Sequence, residues 1–82
     1  MSVERLALRG KLAEAQNRRG HLRLKAEGLC SGIRTGVNTL IYDVEELEVA
    51  QAAQQMDELV ATMGELAALQ GQIARIEREL KS

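Results

Sequence analysis

The stretch LEVAQAAQQMDELVATMGELAALQGQIARIEREL, residues 47–80, decides how this chain folds. Its apolar positions return at alternating steps of three and four: Ala52, Met56 (or Gln55), Leu59, Met63, Leu66, Leu69 (or Gln70), Ile73, Ile76 and Leu80. A period near 3.5 residues belongs to an amphipathic helix with a coiled-coil-like seam. Such a seam has to be covered by something, and the N-terminal half offers a matching one.

From Ser2 onward, Leu8, Leu12, Ala15, Leu22, Ala26, Leu29 and Ile33 recur at the same spacing, interrupted once by Arg19. Ser2 can cap the start of that helix, and Glu4 in its first turn complements the helix dipole. HLRLK at residues 21–25 alternates like a strand, but five residues do not overturn the longer helical period. Between the two seams lies the least regular segment, TGVNTLIYDVEELE, residues 35–48. Gly36 and Asn38 tolerate left-handed geometry and are expected to end the first helix. Asp43 and Glu46 have capping-box spacing, and Glu48 could cap a later start equally well. The expectation is one domain over residues 1–82: helix 1 at about 3–35, a connector at about 36–46, and helix 2 at about 47–80.

Two helices of nearly equal length around one short connector favour an antiparallel hairpin. If residue i of the first faces residue 85 − i of the second, Leu12 meets Ile73, Leu22 meets Met63, Ala26 meets Leu59, Leu29 meets Met56 and Ile33 meets Ala52. Arg19 is the exception, opposite Leu66 and beside Glu65. The expected hairpin core is therefore Leu12, Leu22, Leu29, Ile33, Met56, Leu59, Met63, Leu66, Ile73 and Leu80.

Composition agrees with an all-α chain. Proline is absent, and one Tyr is the only aromatic residue, so the core must be made of Leu, Ile, Val, Met and Ala. A β-sandwich or barrel relies on β-branched and aromatic side chains that are scarce here. At 82 residues a lone hairpin is marginal, and oligomerisation is a common remedy. Glycine points the same way. Gly10, Gly20, Gly28, Gly32, Gly64 and Gly71 all fall inside expected helices, each at a cost of roughly 1 kcal/mol relative to Ala. Close helix approach is the usual compensation. Gly28, Gly32 and Gly36 stand four apart, while Val60, Gly64, Ala67 or Ala68, Gly71 and Ala74 make a second stripe beside the first on helix 2. One stripe suffices for a hairpin. A second suggests another chain, and Val60, Gly64, Ala68 and Gly71 are the candidate oligomer face of a dimer forming a four-helix bundle.

The net charge of −1 hides an asymmetry. Residues 1–40 carry eight basic side chains against three acidic ones, and residues 41–82 carry three basic against nine acidic. Pairing of the halves within the hairpin is the expected use of that contrast. The competing use is nucleic-acid binding: Lys11, Arg18 and Lys25 recur every seven residues along helix 1, as do Arg9, Gln16 and Arg23. No aromatic residue on helix 1 can stack on bases, and the chain is not basic overall, which argues against nucleic acid as a partner.

No catalytic, cofactor or metal site is expected. His21 and Cys30 are the only residues of their kinds and stand nine apart, off any common helix face. Cys30 cannot form an internal disulfide and reads as a packing residue. Asp43, Glu45, Glu46 and Glu48 read as caps and dipole partners. GLCSGIRTG lacks the Lys-Ser/Thr ending and preceding strand of a phosphate loop. No long apolar run or export signal is present, so the expected setting is the cytoplasm, away from any membrane.

The stretches LALRGKLAEAQNR, LRLKAEGLCSGIR and VEELEVAQAAQQMDELVATMGELAALQGQIARIEREL resemble small helical proteins encoded in the early regions of Mu-like transposable phages and their prophages. The connector TGVNTLIYDVEELE departs from that pattern in having no proline. The resemblance implies a small accessory protein and transfers no functional residues. The expected function is protein–protein interaction without catalysis.

Overall fold

A computed structural model describes residues 2–82 as two long helices folded back on each other, with no strand among the described residues. Helix α1 runs over Val3–Gly36 and helix α2 over Val49–Lys81, giving an antiparallel hairpin of 63 × 15 × 14 Å. Ser2 has extended backbone geometry, and its hydroxyl accepts from the Arg5 N–H at 3.2 Å, so one of the unpaired first-turn donors is satisfied.

The seam is periodic on both helices. On α1 it runs Leu8, Leu12, Ala15, Arg19, Leu22, Ala26, Leu29 and Ile33, ending at Gly36, with Arg5, Cys30 and Gly32 half-buried besides. On α2 they are Ala52, Gln55, Leu59, Thr62, Leu66, Leu69, Ile73, Ile76 and Leu80. Two expected core residues are therefore displaced. Met56 and Met63 are 46% and 53% exposed, and Gln55 and Thr62 hold the seam positions beside them. The reason is geometric: a 3–4 spacing counted back from Ile73 through Leu66 lands on Thr62 and Gln55. Thr62 is almost wholly buried because its hydroxyl donates to the Glu58 carbonyl of the preceding turn at 2.8 Å. That internal bond lets a polar residue present only its methyl-bearing side to α1.

Cross-helix contacts lie within three positions of the 85 − i register. The Arg5 guanidinium donates to the Leu80 carbonyl at 2.7 Å, satisfying an acceptor in the last turn of α2 that no helical N–H can reach. Arg18 pairs with Glu65 at 3.1 Å. The Gln55 side chain lies over Gly32, and Gly36 sits against Glu48 and Ala52.

The connector differs from expectation in two ways. Among the described residues none has a positive φ, so α1 ends without a left-handed terminator. Instead Val37 and Asn38 N–H groups bond back to Ile33 and Thr35, and the Asn38 side-chain oxygen accepts from the Leu40 N–H at 2.9 Å. Asp43 precedes a single 3-10 turn, Val44–Glu46, and neither Asp43 nor Glu48 makes a side-chain cap, so the expected capping box does not form. What closes the tip is backbone: the Glu48 N–H donates to the Gly36 carbonyl at 2.9 Å. A methyl at Gly36 would rest in ordinary van der Waals contact with Glu48 at 3.5–3.6 Å, so the closure does not require glycine at this position.

Candidate interaction surface

Moving one residue along α2 from each seam position between Ala52 and Ile73 gives a second stripe, Ala53, Met56, Val60, Met63, Ala67, Gln70 and Ala74, with Val49 continuing it toward the tip and the charged Glu77 and Lys81 following at the open end. All are exposed, Val60 to 66% and Val49 to 59%. Each residue advances the helix by roughly 100°, so this stripe faces sideways from the hairpin, about a quarter-turn from the seam. The two methionines displaced from the core belong to it.

An open groove of about 340 Å³ separates this stripe from α1, with Arg19, Arg23 and Glu27 on one wall and Met63, Ala67 and Gln70 on the other. Arg19 occupies a seam position but turns toward this groove, and its buried Nε has no hydrogen-bond partner. Arg18, not Arg19, takes Glu65.

The opposite flank is polar. There Arg18, Leu22, Glu65, Ala68, Gln72 and Arg75 are among the residues lining a second open groove. Lys11, His21 and Lys25 are exposed on α1, while α2 contributes the carboxylates of Glu58 and Glu65. A phosphate approaching Arg18 therefore meets an ion pair already made. Val60, Gly64, Ala68 and Gly71 are all exposed and spaced at i, i+4, i+8 and i+11 along α2, with Val60 on the apolar stripe and Ala68 bordering the polar groove. Gly64 and Gly71 have nothing within 4 Å of where a methyl would sit.

A second exposed apolar cluster caps the tip: Val37, Leu40, Ile41 and Val44, with Leu40 95% exposed. Around it stand Asp43, Glu45, Glu46 and Glu48, with no base between residues 37 and 48.

Chemistry-bearing groups stay dispersed. His21 is exposed on α1 and Cys30 is a half-buried free thiol more than two turns further on. Among the described residues no group of three or more His, Cys, Asp or Glu is placed to hold a metal, and no helix is long and apolar enough to cross a membrane. No family model matches the chain, and no curated protein or solved structure does.

Proposed function

We propose that this chain is a non-enzymatic interaction module whose exposed α2 stripe binds protein, first of all a second copy of itself, so that two hairpins make a four-helix bundle. The observation that carries the reading is the second 3–4 stripe, Val49 to Ala74, periodic like the core seam but uncovered. A helix with one apolar seam is satisfied by its hairpin partner. Uncovered Val and Met at the same period on an adjacent face are what a further helix would cover. The resemblance to Mu-like phage proteins extends the proposal to an accessory role within such an element.

The test is light scattering over a concentration range on wild type and Val60→Glu. Val60 is 66% exposed and lies off the core seam, so the substitution is expected to leave the fold intact and places a charge in the centre of the stripe. Wild type is expected at twice the 9.0 kDa of one chain, and Val60→Glu at the single-chain mass with unchanged helicity. A wild type that stays at 9.0 kDa up to high concentration overturns the self-association reading.

A further inference from the structure

We infer that the second copy lies antiparallel to the first, with a two-fold axis crossing α2 between Val60 and Met63, so that the acidic tip of each hairpin rests on the basic open end of the other. This rests on the proposed self-association and adds its orientation and register.

Side-chain size is the first argument. Turning the stripe end for end about that axis carries residue j onto 123 − j. Val60 then meets Met63, Met56 meets Ala67, Ala53 meets Gln70 and Val49 meets Ala74. Any 3–4 stripe maps onto itself in this way, but the residue identities here also fit. Every long or branched side chain off the centre faces a small one, which is how facing layers interdigitate at close packing. A parallel pair sets Met56 on Met56 and Met63 on Met63, and leaves alanine on alanine at residues 53, 67 and 74. That seam alternates crowded and empty layers.

Charge is the second argument, and it is independent of size. The connector, residues 37–48, carries four carboxylates and no base. The open end, residues 3–11 and 75–81, carries six bases (Arg5, Arg9, Lys11, Arg75, Arg78, Lys81) against Glu4, Glu77 and Glu79. The same operation sets the acidic tip of one copy at the level of the open end of the other, where Arg78 and Lys81 lie beyond Ala74 at steps of four and three. Glu45, Glu48, Arg78 and Lys81 are all exposed in the single hairpin, so these charges are available to a neighbour. Antiparallel copies place opposite ends together twice. Parallel copies place four carboxylates beside four and six bases beside six, and like charges across an interface oppose association.

Single-cysteine chains in a Cys30→Ser background distinguish the orientations, because a disulfide needs its two Cβ atoms within about 4.5 Å. Val49 and Ala74 are separated by about 38 Å along α2. Antiparallel packing predicts that Val49→Cys and Ala74→Cys chains, mixed and oxidised mildly, cross-link to each other and barely to themselves. Strong self-cross-linking of Val49→Cys alone means a parallel dimer, and overturns this inference while leaving self-association standing. A chain that light scattering finds monomeric overturns both. A charge exchange provides a second readout. Glu45→Lys with Glu48→Lys is expected to raise the dimer Kd by roughly tenfold or more at low salt, and adding Arg78→Glu with Lys81→Glu in the same chain to restore it. Failure of the second pair to restore affinity, with helicity unchanged, overturns the proposed register.

Discussion

At the scale of single residues, the two polar side chains in the seam behave oppositely. Thr62 is buried at almost no cost because its hydroxyl is satisfied within its own turn. Arg19 is not: its stem packs in the seam near Leu66 while its Nε is buried without a partner. An unpaired buried donor costs on the order of 1–3 kcal/mol, and more when the group is charged. Arg19→Met keeps the apolar stem and removes that donor, so thermal unfolding of the variant hairpin is expected at higher temperature than wild type, by about 1 kcal/mol or more in stability. A fall in melting temperature would mean that Arg19 has a polar partner, with a second copy across the groove as the first place to look. The polarity of these positions also marks what was legible in the sequence. Spacing alone places Leu22, Leu66, Ile73 and Leu80 in the seam and leaves Met56 or Gln55 open at one position. Thr62 is not legible, because a threonine reads as polar until its hydroxyl bond is known, and Met63 beside it is large and apolar. Strict counting from Ile73 selects Gln55 and Thr62.

At the scale of the helices, hydrophobic period predicted both elements and their antiparallel pairing, and glycine alone looked inconsistent. The structure divides the glycines into two groups. Gly32 and Gly36 lie under Gln55 and against Ala52, where the helices meet. Gly10, Gly20, Gly28, Gly64 and Gly71 face open space. A glycine with no neighbour to accommodate contributes only its backbone entropy cost, so Gly28→Ala is expected to stabilise the hairpin by about 0.5–1 kcal/mol in denaturant unfolding. The same change at Gly32 must first move the Gln55 amide and should gain less. If Gly28→Ala instead destabilises or dissociates the protein, a second chain approaches α1 along Gly28, and the interface is not on α2. The connector was the least legible element. Capping-box spacing was present, yet closure comes from a backbone bond between Glu48 and Gly36, and no sequence pattern announces a bond of that kind.

At the scale of the whole molecule, the hairpin is long and thin, and its buried apolar side chains are few. Among the described residues they are Ala15, Leu22, Ala52, Leu66, Ile73 and Ile76, two of them alanines. A chain of this size hides roughly 60% of its unfolded surface even as a compact globule, and a rod 15 Å across does worse. Meanwhile Val60, Met56 and Met63 remain uncovered along one side. Those two facts belong together if folding and association are linked, because a partner that binds only the folded hairpin draws the equilibrium toward it. The consequence is measurable without knowing any biological role. For a linked dimer, raising protein concentration about a hundredfold adds roughly 1.4 kcal/mol of stability per chain, which in a chain of this length moves the melting temperature by roughly 5–10 °C. Circular dichroism melts across that range are expected to show the shift in wild type and to lose it in Val60→Glu, whose curve should coincide with wild type at the dilute end. A melting temperature independent of concentration while light scattering reports a single chain would mean that the seam of α1 and α2 is sufficient by itself, and the exposed stripe would then have to be assigned to a different partner.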